Sequence, residues 1–192
     1  MIGREDILAI FAQTGVLLEG HFQLTSGKHS GRYLQCARVF QYPEHAETLC
    51  KSLAERFAAE TTDLCIGPAL GGVIIAYETA RNLGVRGLFA ERDKEGAMTL
   101  RRGFTIERGE RVLVLEDVVT TGGSVREVIE LVKEWGGDVV GVGTIVDRSG
   151  GTADFGVPYA SLIQVDVETY DPDDCPLCLA GSPAVKPGSR KS

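Results

Sequence analysis

The sequence contains no run of apolar residues that approaches the roughly 20 needed for a membrane-spanning helix. Basic residues are also outnumbered, because 20 lysines and arginines face 27 aspartates and glutamates, which gives a formal net charge of −7. Duplex DNA and anionic membranes both favour a dense basic face, so neither is expected as the main partner. The opening residues MIGREDILAI carry charges where a signal peptide would be apolar, and we therefore expect a cytoplasmic protein.

Cysteines are few and scattered. The five cysteines are Cys36, Cys50, Cys65, Cys175 and Cys178. An odd number at such irregular spacing is not typical of the disulfide framework of a secreted protein. Cys175 and Cys178 have the spacing of half a zinc site, but no second pair of cysteines or histidines follows at the right distance. His21, His29 and His45 form no ligand cluster along the sequence. A structural or incidental role is therefore the favoured interpretation of the two C-terminal cysteines.

Two common nucleotide-binding motifs are also missing. No Gly-Lys-Ser/Thr follows a glycine-rich turn, and no Gly-x-Gly-x-x-Gly occurs, so ATP and NAD are disfavoured as ligands. Internal repeats and low-complexity segments are absent as well, and no linker divides the chain. Residues 1–192 are therefore expected to form one domain around a single core.

The spacing of apolar residues predicts an α/β fold. An N-terminal helix is expected over residues 4–14 and a second helix from Pro43, each with an apolar stripe at helical spacing. From Asp63 onward, short apolar runs alternate with helical segments, which is typical of a parallel sheet with helical crossovers. Strands are predicted at 63–66, 85–90, 111–115, 139–146 and 160–165, and helices at 72–83 and 124–135. The expected architecture is a central, mostly parallel sheet flanked by helices.

The strongest functional signal is an acidic pair followed by a glycine-rich turn. Glu116 and Asp117 follow the apolar strand 111–115, and the turn continues with Val118, Val119, Thr120, Thr121, Gly122, Gly123 and Ser124. Backbone amides and hydroxyls over residues 120–124, together with the start of a helix, suit phosphate oxygens. Two carboxylates beside a phosphate would repel it unless they accept hydrogen bonds from sugar hydroxyls or hold water around Mg²⁺. The combination indicates a sugar phosphate, and the alternative is a tight turn in which Ser124 caps the helix.

These residues resemble the signature of type I phosphoribosyltransferases, which use 5-phosphoribosyl diphosphate (PRPP). The resemblance implies that residues 116–124 bind PRPP, with Glu116 and Asp117 on the ribose hydroxyls and residues 120–124 on the 5′-phosphate. It also implies Mg²⁺, held mainly through PRPP and water and not by firm protein ligands. A small N-terminal hood of about residues 1–40, with the C-terminal segment, is expected beside a core of about residues 43–165.

The segment GHFQLTSGKHSGRYLQCA, residues 20–37, resembles the N-terminal segment of orotate phosphoribosyltransferases. Its most specific positions are Leu24, Thr25, Ser26, Gly27, Ser30 and Tyr33. The resemblance implies that Tyr33 and Leu34 lie against the pyrimidine, that Thr120 touches the base and that Arg148 holds the orotate carboxylate. Arg148 follows strand 139–146, at the edge where open α/β sheets place ligands, and arginine can bind a carboxylate through two hydrogen bonds. The alternatives are an edge hairpin that turns at residues 26–27 and a surface arginine in a turn.

Three other segments complete the expectations. The polar residues 91–103 are expected to form a long mobile loop that closes over the reacting groups. Its cations are candidates for neutralising pyrophosphate, with Arg92 and Lys94 first, Arg101 and Arg102 second, and a solvated charged loop as the alternative. Residues 67–72 are expected to turn their amides toward the diphosphate, and the tail after Tyr170 to lie along the surface or fray.

The reaction implied by the resemblance joins orotate to PRPP and releases pyrophosphate, giving orotidine 5′-phosphate in pyrimidine synthesis. Asp117, Glu116, Arg92 and Lys94 are its expected catalytic residues. In the relatives the 91–103 loop reaches a neighbouring subunit's site, which implies a homodimer. The alternatives are a phosphoribosyltransferase for another base and a non-catalytic PRPP-sensing regulator. A purine has no carboxylate for Arg148. A regulator would usually carry a nucleic-acid-binding module, and the sequence offers neither extra length nor a basic stripe for one.

Overall fold

The computed structural model describes residues 2–24 and 26–187. The N-terminal elements are helix α1 (Arg4–Thr14), strands β1 (Leu17–Gln23) and β2 (His29–Leu34), a 3₁₀ turn (Cys36–Gln41) and helix α2 (Pro43–Arg56). Helix α1 has the predicted bounds, and it ends because Gly15 adopts a left-handed conformation with φ 63°. Helix α2 begins at Pro43, whose missing amide proton costs nothing in a first turn.

The remaining elements form the central sheet and its helices, with α3 between β3 and β4 and α4 between β6 and β7. They are β3 (Leu64–Pro68), α3 (Gly71–Leu83), β4 (Arg86–Arg92), β5 (Met98–Thr99), β6 (Arg111–Val119), α4 (Gly123–Glu134), β7 (Asp138–Asp147), β8 (Tyr159–Gln164), a 3₁₀ turn (Pro172–Asp174) and α5 (Pro176–Leu179). Every predicted strand from 63–66 to 160–165 is present, with ends that differ by a few residues.

The central sheet has the strand order β5-β4-β3-β6-β7-β8. All neighbours are parallel except β4 and β5, which confirms the expected mostly parallel sheet. Strand β6 is longer than predicted, because Val118 and Val119 still pair with Val146 and Asp147 of β7. Glu116 and Asp117 therefore lie within the carboxyl-terminal part of this central strand and not beyond it.

Apolar side chains from both faces of the sheet form the core. On one face, Leu49, Leu53 and Ile75 of helices α2 and α3 are fully buried; on the other, Val125 and Val128 of α4 are fully buried. Strand β3 is buried at every position, as expected for a strand covered by helices on both faces. No helix among the described residues is long and apolar enough to cross a membrane.

Outside the sheet, β1 and β2 form an antiparallel hairpin. The described part of the tail does not fray, because Tyr170 bridges to His29 and Val185 bridges to Phe22. Backbone hydrogen bonds of 2.8–2.9 Å hold both contacts. The tail thus adds two short bridging segments to the hairpin. Thr25 and residues 188–192 lie outside the described residues.

The segment 91–103, expected as a long loop, begins as a hairpin. Glu91 and Arg92 at the end of β4 pair with Thr99 and Met98 of β5. The carboxylate of Asp93 accepts hydrogen bonds from the amides of Glu95 and Ala97, at 3.0 and 2.8 Å, and so closes the turn. Strand β5 was missed because two residues are too few to show an alternating pattern.

Candidate active site

The glycine-rich turn forms a cavity of about 240 Å³ at the carboxyl end of β6, lined by Glu116, residues 118–125 and Glu127. Helix α4 starts at Gly123 with Gly122 as its N-cap, and no side chain of the described residues caps it. Ser124 therefore lies inside the helix, and the alternative that it is the cap is wrong. First-turn amides of a helix have no partner within the helix, so this uncapped end suits an anion.

Glycine is required at position 122 for two reasons. Its φ of +76° is left-handed, and an added Cβ would lie 2.7 Å from the Phe155 ring. The neighbouring Arg126 lies over the same ring, 5.0 Å from its centroid, and donates hydrogen bonds to the carbonyls of Thr121 and Asp154, at 2.7 and 2.8 Å. Arg126 and Phe155 thus fix the shape of the turn from behind.

Glu116 and Asp117 form a carboxylate pair that is largely removed from water, and Glu116 is only 8% exposed. Burial and the adjacent Asp117 raise the pKa of Glu116 to about 9, and burial also raises the pKa of Asp117. The Asp117 amide donates to Glu116 Oε1 at 3.1 Å, and the Val118 amide donates to Asp117 Oδ1 at 2.8 Å. With little water around them, two adjacent carboxylates are costly to ionise together. The pair therefore favours ligands that supply hydroxyl donors or cations.

The turn over residues 67–72 approaches this pair from β3. Gly67 and Gly72 pack backbone against backbone, because a Cβ at Gly72 would lie 2.8 Å from the Cα of Gly67 and one at Gly67 would clash with the Gly72 carbonyl. The peptide between Ala69 and Leu70 is cis. Leu70 beside it is 87% exposed. The predicted turn therefore lies at the same edge of the sheet as the acidic pair.

Arg148 lies on the other side of the acidic pair, after β7. Its amide donates to the Val119 carbonyl at 2.8 Å, which ties it to the end of β6. The guanidinium is half-buried, and its buried Nε has no hydrogen-bond partner among the described residues. Burial lowers the pKa of Arg148, while Tyr33 and Cys36 act against this through their charges. A buried, unsatisfied cationic donor fits an anionic ligand group.

The residues predicted to contact the base differ in their exposure: Tyr33 and Thr120 reach solvent, whereas Leu34 is buried. Tyr33 of β2 is partly exposed and is close enough to Arg148 to affect the pKa of that arginine. Its ring packs on Phe22, with the ring centroids 5.7 Å apart. Leu34, in contrast, is 5% exposed and belongs to the core. Thr120 is exposed at the rim of the cavity.

The two first-choice loop cations differ in their surroundings. Arg92 is held by Glu127 through hydrogen bonds of 2.6 and 2.9 Å and donates to the Gly96 carbonyl. Lys94 lies exposed in the hairpin turn, and no hydrogen bond or ion pair joins it to another described residue. Arg102 pairs with Glu91. Arg92 is thus tied to a residue that lines the cavity, whereas Lys94 is available to a ligand.

One group of residues escaped the sequence analysis. His21 and His29 of the β1–β2 hairpin lie against Cys175 and Cys178 of the tail, and their potential ligand atoms all fall within 4.8 Å of one another. The search along the sequence looked for a second pair after the cysteines, whereas the histidines precede them by more than 140 residues.

Comparison with known proteins identifies relatives of this fold and site. A family described as the phosphoribosyl transferase domain matches residues 39–166. The orotate phosphoribosyltransferase of Pelotomaculum thermopropionicum is 61% identical over 98% of both chains, and that of Thermotoga maritima is 58% identical over 96% of this chain and 98% of the relative. The crystal structure of the Aeropyrum pernix orotate phosphoribosyltransferase matches 83% of this chain and 93% of its own at 26% identity, with a TM-score of 0.69. The chain therefore belongs to the orotate phosphoribosyltransferases, within the type I phosphoribosyltransferase family.

Proposed function

We propose that this protein transfers the ribose 5-phosphate group of PRPP to orotate, giving orotidine 5′-phosphate and pyrophosphate in the synthesis of UMP. The observation that carries the proposal is the grouping of three features at the carboxyl ends of β6 and β7: a phosphate turn at the start of α4, an acidic pair of which Glu116 is buried, and a half-buried arginine whose buried Nε has no partner among the described residues. The three features match the 5′-phosphate, the ribose hydroxyls and the orotate carboxylate. The proposed enzyme is one domain over residues 1–192, with the hairpin and tail as its hood.

In this proposal the side chains orient and stabilise, and none acts as a nucleophile. Residues 120–124 bind the 5′-phosphate, and this remote contact orients the reacting carbon. Glu116 and Asp117 accept hydrogen bonds from the ribose hydroxyls while positive charge grows on the ring. Arg92 and Lys94 balance the charge of the departing pyrophosphate. Arg148 positions orotate through its carboxylate, with Tyr33 and Thr120 beside the base.

Mg²⁺ is part of the proposal, bound mainly through PRPP and water. The chain fits this role because the carboxylates of Glu116 and Asp117 offer the oxygen atoms that Mg²⁺ prefers. A nearby cation would also reduce the repulsion between the two carboxylates. Bound there, the ion would supply charge neutralisation of the diphosphate. The protein side chains would accept hydrogen bonds from its water shell and from the sugar.

A homodimer and a cytoplasmic location complete the proposal. Leu70, Ile74 and Tyr77 form an exposed apolar stripe at the start of α3, and they are 87%, 45% and 66% exposed. Such a stripe beside the active site suits a second copy of the chain. The five cysteines are free, which suits a reducing compartment.

Mixing inactive variants tests the shared site. If Lys94 in the hairpin turn of one subunit serves the other subunit's cavity, Asp117→Asn should be inactive alone and Lys94→Ala strongly impaired alone. Refolded or exchanged together, they should recover about a quarter of wild-type activity, because half of the dimers carry one intact site. Failure to recover activity, with mixed dimers verified by native mass spectrometry, would contradict the shared site.

The reaction itself is tested with a panel of bases. Orotate absorbance is followed after addition of protein, PRPP and Mg²⁺, with uracil, adenine and hypoxanthine in parallel and Asp117→Asn as the matched control. Loss of orotate that requires both PRPP and Mg²⁺ supports the proposal. Activity on another base alone would keep the phosphate site but assign a different substrate, and PRPP binding without turnover on any base would favour a sensor.

A further inference from the structure

The histidine and cysteine group beside the hairpin has the dimensions of a tetrahedral metal site. His21 Nε2 lies 2.9 Å from His29 Nδ1, 3.5 Å from Cys175 Sγ and 3.8 Å from Cys178 Sγ, and Cys178 Sγ lies 3.2 Å from His29 Nδ1. Bond lengths of about 2.0 Å to nitrogen and 2.3 Å to sulfur place the corners of a zinc tetrahedron roughly 3.3 to 3.8 Å apart. Small side-chain shifts would bring all four atoms to one ion.

The orientation of His21 favours a metal ligand. Its Nδ1 lies 2.7 Å from the carbonyl oxygen of Ser182, which only accepts hydrogen bonds, so Nδ1 carries the proton. Nε2 therefore directs a lone pair into the cluster. Metal-bound histidines usually donate their other ring nitrogen to a carbonyl or carboxylate in this way, which fixes the tautomer.

The burial and chemistry of the group point the same way. His21, His29 and Cys175 are buried at 5%, 7% and 0% exposure, and only Cys178 reaches the surface. Two thiolates and two imidazoles form a closed donor set with no open position and no carboxylate, which suits structural Zn²⁺ over Mg²⁺. The two cysteines are not joined in a disulfide.

The location explains what such an ion would do. The cluster joins the β1–β2 hairpin to α5, a helix of only four residues, and the tail around it exposes Leu179 by 80% and Val185 by 59%. A two-stranded hairpin with so little apolar cover needs an additional cross-link to hold one shape. The backbone bridges at Tyr170 and Val185 flank the cluster and define its position.

We propose that His21, His29, Cys175 and Cys178 bind one structural Zn²⁺ that fastens the C-terminal tail to the hairpin. Binding releases the two thiol protons to solvent, and no oxidation takes place. The ion is separate from the Mg²⁺ of catalysis, and its role is to hold the hairpin that carries Tyr33. The proposal does not rest on the proposed function, because metal content is measured without turnover.

The first test is the metal content of the purified full-length protein, together with the spectrum of protein loaded with Co²⁺. We expect close to one zinc per chain, and a Co²⁺ form with thiolate charge-transfer absorption and the intense visible bands of a tetrahedral site. Cys178→Ser and His29→Gln should lose the stoichiometric zinc and these bands. Cys65→Ala and His45→Gln, which change the same residue types outside the cluster, should keep both.

A second measurement uses the unaltered chain, so that it does not depend on a variant that folds. A strong zinc chelator should lower the midpoint of thermal unfolding by at least about 5 °C, and added Zn²⁺ should restore it. Protein that takes up no stoichiometric zinc or Co²⁺ after thiol reduction would overturn the proposal. Zinc retained in full by Cys178→Ser and His29→Gln would overturn it as well, since the ion would then lie elsewhere.

Discussion

The carboxylate of Asp117 occupies the space that a side chain at Gly71 would need. A Cβ built on Gly71 would lie 2.7 Å from Asp117 Oδ1 and 3.0 Å from its carboxyl carbon. Glycine at the start of α3 thus lets the acidic pair of β6 approach the turn over residues 67–72. The two edges of the candidate site are in direct contact at this point.

Replacing this glycine should displace the carboxylate without unfolding the protein. We expect Gly71→Ala to lower kcat by about tenfold or more, because a shift of about 1 Å in a positioning group can cost up to 100-fold. The control is Gly3→Ala, where φ is −81° and the added methyl would meet only the Asp6 side chain. Wild-type kinetics for Gly71→Ala, with a normal melting temperature, would show that the position of Asp117 is not critical.

The raised pKa of Glu116 predicts how stability depends on pH. Between the pKa of a carboxyl in water and the raised value, the folded ligand-free protein holds a proton that the unfolded chain releases, so stability falls as pH rises through this window. Glu116→Gln removes the titration and should raise the melting temperature at pH 8 by at least about 2–4 °C while abolishing most activity. At pH 4 the gain should vanish.

The matched control for this pH effect is Glu134→Gln, an exposed residue of α4. Its melting temperature should follow that of the wild type at both pH values. A Glu116→Gln protein that is less stable than the wild type at pH 8 would mean that the carboxylate is satisfied in the ligand-free state, which contradicts the account of the acidic pair.

Replacing Lys94 or Arg92 should affect the melting temperature and kcat differently. Lys94→Ala should leave the melting temperature unchanged and lower kcat by about tenfold or more, because the ammonium makes no hydrogen bond or ion pair with the described residues and its charge is available for pyrophosphate. Arg92→Ala should lower both, since it also breaks the contact with Glu127. Lys51→Ala on α2 is the control, and an unchanged kcat in Lys94→Ala would remove this residue from the reaction.

The sequence predicts the sheet well but not the contacts between the hairpin and the tail, for physical reasons. Strands such as β3 and β6 are apolar at nearly every position because helices cover both faces, so each run of residues carries its own signal. The zinc cluster depends on contacts between residues about 150 positions apart, and no local pattern reports them. The unsatisfied Nε of Arg148 and the contact of Gly71 with Asp117 likewise exist only after folding.

The most direct test of the central claim compares orotate with uracil, which lacks the carboxylate, in the wild type and in Arg148→Ala. If Arg148 binds the orotate carboxylate, the Arg148→Ala variant should have a kcat/KM for orotate that is lower by about 10- to 100-fold, mainly through KM. Hydrogen bonds to charged groups contribute about 1.5–3 kcal/mol, which corresponds to this loss. Activity on uracil should change little, and Arg108→Ala, which changes an exposed arginine just before the start of β6, at the opposite end of that strand from the cavity, should behave as the wild type. An unchanged preference for orotate in Arg148→Ala would contradict the account.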